Sequence, residues 1–143
     1  RFNIDPFEMY TEERIWEALK LVRMDDFVRH LPGALDYQVS GEGANLSFGQ
    51  RQLLSLARNI VRKPMLLLLD EATSAIDPRT QELLQYTIEQ AFPEATLVVI
   101  AHRLETILEF DLAIVMDRGH VAEQGPVKEL AAQKNGRLAR MLA

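Results

Sequence analysis

Met65-Leu66-Leu67-Leu68-Leu69-Asp70-Glu71 is the stretch on which the fold of this chain turns. Five apolar residues run without alternation, as in a strand covered on both faces of a parallel sheet, and stop at two adjacent carboxylates. Before this run, Ser47 and Gln50 have capping-box spacing and open a helix. Leu53, Leu54, Ala57, Ile60 and Val61 form the buried stripe of that helix. Lys63-Pro64 ends it, because proline disfavours helical geometry in the residue before it. After the run, Asp77 can cap another helix with Pro78 at its first position. Leu83, Leu84, Thr87, Ile88 and Ala91 form its inner face, and Pro93 follows its end. Leu97–Ala101 reads as a second apolar strand. Two strands of one sheet joined by a helix imply a parallel crossover, so the fold class is α/β.

The flanks extend this plan. Glu12–Val22 places Ile15, Trp16, Leu19 and Val22 on one helical face, with Trp16 as a core residue. Asp25-Asp26 starts a short helix to Leu31, stopped by Pro32-Gly33. Residues 33–46 read as loop, broken by Gly41 and Gly43. Beyond the second strand, a short helix at Leu104–Phe110 leads to a strand at Leu112–Met116. Asp117-Arg118-Gly119 turns the chain so that His120–Gln124 pairs back as a hairpin. Gly125-Pro126 introduces a helical tail. The chain thus divides into a helical portion, 1–63, and a strand-bearing portion, 64–143.

A length of 143 residues suits one domain with a real core. The apolar fraction of 48% is too high for a disordered chain. A net charge of −5 speaks against nucleic acid as the partner. Arg51, Arg58 and Arg62 lie along one helix and read as a solvated face. The absence of cysteine excludes a disulfide framework and a thiolate metal site. No apolar run reaches membrane-spanning length, and the first residues lack the pattern of a signal peptide. Asn45-Leu46-Ser47 matches a glycosylation sequon, but helix capping accounts for Ser47 better.

Parallel strands end on a common rim, where ligands of open α/β sheets bind. Asp70-Glu71 finishes one strand and His102 the other, so the fold should gather them in one cleft. An Asp at a strand end can hold Mg²⁺ through water. A neighbouring Glu can orient or deprotonate an attacking water, and a His can donate to a phosphoryl oxygen. Taken singly, each signal has a plainer reading: a strand end, a locally bonded histidine, two helix caps. Their order, spacing and joint presence point instead to phosphoryl transfer to water. The phosphate cradle is missing from the set. None of the seven glycines is followed by lysine, so there is no Gly-x-x-x-x-Gly-Lys-Ser/Thr loop.

The joint pattern resembles the C-terminal portion of the nucleotide-binding domain of an ATP-binding cassette (ABC) transporter. Leu46-Ser47-Phe48-Gly49-Gln50-Arg51-Gln52 is similar to the signature motif. Leu66–Asp70 is similar to Walker B, with Glu71 in the position of the catalytic carboxylate. Ser74-Ala75-Ile76-Asp77 resembles the D-loop, and His102 the switch histidine. Asn3-Ile4-Asp5-Pro6-Phe7 resembles the segment after the Q-loop in the second nucleotide-binding domain of the C, or multidrug-resistance-associated, subfamily. The implied architecture is an incomplete P-loop NTPase fold: a helical signature subdomain and the back of a mainly parallel sheet core.

The resemblance also implies roles. Glu71 and His102 would be catalytic and Asp70 would hold Mg²⁺. Ser47, Phe48, Gly49 and Gln50, with Ser74 and Asp77 of the D-loop, would serve ATP across a dimer interface. Phe48 stands where the family usually has glycine, and a bulky side chain there constrains backbone approach to phosphate. This implies an asymmetric pair, in which the present signature caps the less active composite site while Glu71 serves the competent one. The implied partners are a second nucleotide-binding domain and transmembrane domains, with this domain on the cytoplasmic face of a membrane. Alone, the chain is expected to be inactive, and an unpaired sheet edge is expected to favour self-association. The alternatives are a soluble ABC ATPase acting on DNA or ribosomes, and an interaction module without turnover.

Overall fold

The computed structural model describes residues 1–70, 77–101 and 104–143. Among these, two compact units form: residues 1–68 with 77–98, and residues 69–70 with 99–101 and 104–143.

The first unit is built on two helices, α1 (Glu12–Leu21) and α3 (Phe48–Arg62). Thr11 caps α1 by accepting the Arg14 amide, and Glu12 and Glu13 favour its positive end. Ile15, Ala18, Leu19 and Val22 are buried on its inner side, and Leu53, Leu56, Ala57, Ile60 and Val61 on that of α3. Each large aliphatic side chain so buried contributes about 1.5–3 kcal/mol. The Arg14 guanidinium reaches from α1 to the Val61 carbonyl at 2.6 Å, supplying a partner to the end of α3. Lys63 ends α3 in a left-handed conformation, a common way for a helix to stop, and Pro64 follows it. A short helix, α2 (Asp25–Arg29), packs beside α1, and its final turn is taken up by His30 as C-cap rather than continuing to Leu31.

Two side chains differ from the helical-wheel expectation. Leu56 is buried where Leu54 was expected; Leu54 instead lines a cleft of ≈ 400 Å³ shared with Phe27, Leu31 and Leu35. Trp16 is half-buried, not core. Its indole donates to Glu12 at 3.1 Å and the Arg29 guanidinium lies 4.1 Å from its ring centre, so an amphipathic ring closes the edge of the core.

The strands β1 (Leu66–Asp70) and β2 (Thr96–Ile100) are neighbours in one sheet. The Thr96 amide donates to the Met65 carbonyl at 2.9 Å, joining the start of one strand to the start of the other, as strands running in the same direction require. Between them lies α4 (Pro78–Ala91), which packs on α3 and donates the Thr87 hydroxyl to the Leu21 carbonyl at 3.3 Å. The expectation that β1 is covered on both faces is corrected. Leu67 is 4% exposed, whereas Leu66 is 52% and Leu68 69% exposed. The described residues supply a cover for one face of the strand only.

In the second unit β3 (Leu112–Asp117) and β4 (His120–Pro126) pair antiparallel, with Asp117 opposite His120. The two residues between them, Arg118 and Gly119, have φ of 48° and 81°, the left-handed pair that a tight hairpin turn demands. The helix α5 (Leu104–Ile107) is shorter than expected, and α6 (Val127–Ala132) and α7 (Arg137–Leu142) form the tail. Val127, Leu130 and Leu138 make the core of this unit, with Phe110, Ala113 and Val115 packed against them. Glu123 of β4 accepts the Arg137 and Leu138 amides at 2.6 and 3.0 Å, capping α7. These amides, Arg137 first, hold its carboxyl below the usual glutamate range.

Candidate functional site

The start of α3 is the best-defined part of the site. Ser47 is its N-cap, and both halves of the capping box form: the Gln50 amide donates to Ser47 Oγ at 3.1 Å and the Ser47 amide to Gln50 Oε1 at 2.9 Å. Ser47 is exposed. Its cap is neutral, and the first turn of this 15-residue helix carries no acidic residue. The positive end of the helix is therefore open to an anion from outside.

The loop ahead of Ser47 is held by two side chains. Asn45 Nδ2 donates to the Tyr37 hydroxyl (3.1 Å) and the Gln38 carbonyl (3.0 Å), and its Oδ1 accepts the Ser40 amide (3.0 Å). Committing both ends of the amide to the loop makes Asn45 a structural residue, not a free sugar acceptor. Arg51 Nη1 reaches back to the carbonyls of Gly43 (3.2 Å) and Leu46 (3.4 Å), and its guanidinium lies 5.6 Å from the centre of the Phe48 ring. Gly43 has φ +69°, and a Cβ there would lie 2.7 Å from Arg51 Cδ, so glycine is required twice over. The solvated-face reading of the arginine row is thereby corrected. Arg51 ties down the loop, and Arg58 donates to the Asn3 carbonyl at 2.6 Å; Arg62 alone is exposed. Loop carbonyls at these two points, that of Gly43 already accepting the Leu46 amide at 2.9 Å, have room for a guanidinium donor that would otherwise face water.

Asp77 caps α4, accepting the Thr80 amide at 3.0 Å on one carboxylate oxygen and the Thr80 hydroxyl at 2.6 Å on the other. The Thr80 hydroxyl first, then its amide, hold the Asp77 carboxyl below the usual aspartate range. Thr80 also stands against α3: a Cβ built on Gly49 would lie 3.3 Å from Thr80 Cγ2. Gly49 and Asp77, 28 residues apart in sequence, are thus brought to the two sides of one threonine.

Asp70 ends β1 and is exposed, in the strand-end position that the sequence implied. Glu71, Ser74 and His102 lie outside the described residues, and with them the grouping of the two carboxylates with the histidine. Among the described residues no group of three or more His, Cys, Asp and Glu could hold a metal ion. Asp70 offers one hard carboxylate, which fits Mg²⁺, an ion that keeps most of its water and commonly takes one or two protein oxygens.

Thr80, Arg51 and Asn45 are the residues of this region whose parts the sequence did not reveal. Thr80 stands three residues after its cap, a spacing that marks a hydroxyl bonded to the capping side chain; its contact with Gly49 has no sequence signal.

A helix opened by Ser47, a strand ending in Asp70 and a helix capped by Asp77 are the described features of an α/β domain of the ATP-binding cassette class. The chain belongs to the ABC transporter family, whose pattern matches residues 3–74. It is 46% identical over 143 residues to multidrug resistance protein mrp-7 of Caenorhabditis elegans, covering 100% of this chain and 9% of that protein. It is 50% identical over 133 residues to ATP-binding cassette sub-family C member 3 of Mus musculus, covering 92% and 9%. With sub-family C member 2 of Homo sapiens the identity is 47% over 130 residues, covering 91% and 8%. Among solved structures, a bacterial Atm1-family ABC exporter with ATP bound superposes with a TM-score of 0.83 at 35% identity, over 99% of this chain and 25% of that one. The chain therefore spans under one-tenth of the curated C-subfamily relatives it matches.

Proposed function

We propose that this chain is the signature-bearing and rear part of an ATP-hydrolysing nucleotide-binding domain, and that its parent couples ATP hydrolysis to movement of a substrate across a membrane. The observation that carries this reading is the neutrally capped start of α3: Ser47 is exposed, its amide and hydroxyl are ordered by Gln50, and the first turn of the helix carries no acidic residue. On this reading Ser47 and Gly49 face the γ-phosphate of ATP held by a second nucleotide-binding domain. Ser74 and Asp77 belong to the D-loop at that interface. Glu71 orients and deprotonates the attacking water, and His102 donates to the γ-phosphate in its own domain's site. Asp70 holds Mg²⁺ through water, and the ion when bound offsets phosphate charge. Transmembrane domains are the further partners, with the nucleotide-binding domain on the cytoplasmic face. Among the described residues no helix is long and apolar enough to cross a membrane.

Phosphate contacts in such sites come largely from loop amides and a lysine, and these 143 residues hold no such loop. The chain alone should therefore not hydrolyse ATP. It should associate with the first nucleotide-binding domain of a C-subfamily transporter only when ATP and Mg²⁺ are present. Analytical ultracentrifugation of the mixture with and without ATP tests the reading, and nucleotide-independent behaviour sinks it. The exposed Met65, Leu66 and Leu68 also suit self-association of the isolated chain, which the same instrument reads across a dilution series.

A further inference from the structure

Gly49 is the second residue of α3 and, unlike Gly43, does not have a positive φ. Its lack of a side chain is therefore a matter of space. A Cβ would meet Thr80 Cγ2 at 3.3 Å, Oγ1 at 3.6 Å and Cβ at 3.9 Å. Thr80 is not free to turn away. Its hydroxyl donates to Asp77 Oδ2 at 2.6 Å while its amide donates to Oδ1 of the same residue at 3.0 Å. A β-branched side chain with its oxygen held has one χ1 setting, so the methyl group is held against Gly49.

The geometry points to Thr80 as a positioning residue: it fixes the start of the signature helix against the start of the D-loop helix, so that the two interface motifs are set at one spacing. Thr80 touches no nucleotide on this view and acts through Gly49 on one side and Asp77 on the other. The inference rests on the function proposed above, because that reading gives both motifs their shared surface. It adds that their spacing is decided by a methyl group and a hydroxyl on one residue. Helical propensity alone favours alanine over glycine at position 49, so a loss of order at the start of α3 on Gly49→Ala without nucleotide would have to come from crowding, and rescue by the residue it crowds separates this from a loss at the phosphate.

The test is steric rescue in the full 143-residue chain, with the first nucleotide-binding domain of a C-subfamily transporter and ATP–Mg²⁺ as the probe. Gly49→Ala is expected to weaken ATP-dependent association about tenfold. Adding Thr80→Ser, which keeps the hydroxyl and removes the methyl, should bring it back to within about threefold of the parent chain. A loss that is the same with and without Thr80→Ser overturns the inference. A second readout separates the two levels of reading. Exchange of the Gln50 amide, bonded to Ser47 Oγ at 3.1 Å, reports the start of α3 without nucleotide. If the unsubstituted chain shows no ATP-dependent association, the proposed function fails, and exchange decides the role of Thr80. Gly49→Ala should speed it about fivefold and Thr80→Ser should reverse that change; unaltered exchange overturns the inference. Should Gly49→Ala fail to fold, return of the thermal transition on adding Thr80→Ser supports the inference, and no return overturns it.

Discussion

The starts of α3 and α4 are both capped, and they are capped differently. Ser47 and Gln50 close α3 with neutral groups, and its first turn brings no charge of its own to the positive end. Asp77 and Thr80 close α4 with a carboxylate that satisfies the amide and the dipole together. A helix that carries its own anion repels a second one, whereas a helix capped by serine can accept one from another molecule. The difference teaches that capping and ligand binding compete for the same amides. The chemistry of the cap decides which start is a structural joint and which is a docking point.

Exchanging the cap chemistry is the strongest way to break this comparison. Ser47→Asp keeps an equally good N-cap but adds a negative charge at α3. Thermal stability should hardly change, while ATP-dependent association should fall by at least about tenfold, equivalent to about 1.4 kcal/mol. Retained association after Ser47→Asp would show that the open dipole is not what receives the phosphate.

The loop that presents Ser47 comes next. Gly43→Ala places a side chain at φ +69° and against Arg51, and should cost about 1–2 kcal/mol from backbone strain alone. Chemical denaturation measures this, and a change below about 0.5 kcal/mol would show that neither the left-handed backbone nor the Arg51 clamp requires glycine at position 43.

A smaller effect is expected at α4. Asp77→Ala removes both bonds to Thr80 and should lower the unfolding midpoint by a few degrees. Asp77→Asn keeps an acceptor and should lose less. An unchanged midpoint in Asp77→Ala would mean that α4 is held by its contacts with α3 alone.

The smallest effect concerns acid. The carboxyls of Asp77 and Glu123 are both held below their ordinary range, by the Thr80 hydroxyl and by the Arg137 amide respectively. A depressed folded-state pKa gives stability that is present above the unfolded-state value and is lost as pH falls through the folded one. Stability should therefore decline as pH falls below about 4, the ordinary carboxylate range. Asp77→Asn and Glu123→Gln should each flatten that decline, and Ser47→Ala, which removes a cap that does not titrate, should leave it unchanged. Carboxyl chemical shifts followed by NMR during acid titration check the assignment directly.

The sequence by itself determined the caps and the elements they open. Ser47 with Gln50, Asp77 with Pro78, Lys63 before Pro64 and the turn at Arg118-Gly119 all act within three or four residues, where backbone hydrogen bonding and steric preference suffice. It also carried the family, because Leu46–Gln52, Leu66–Glu71 and Ser74–Asp77 keep a fixed order and spacing. Tertiary structure alone decided that Leu56 rather than Leu54 is buried, that Trp16 sits at the edge under Arg29, and that Arg51 and Arg58 grip carbonyls. It also set the methyl of Thr80 against Gly49, 31 residues away. Those outcomes depend on how α1, α3 and α4 pack. Periodicity names a helical face, but only a neighbour in space fixes which residues of that face it covers and which polar groups it leaves to be paired.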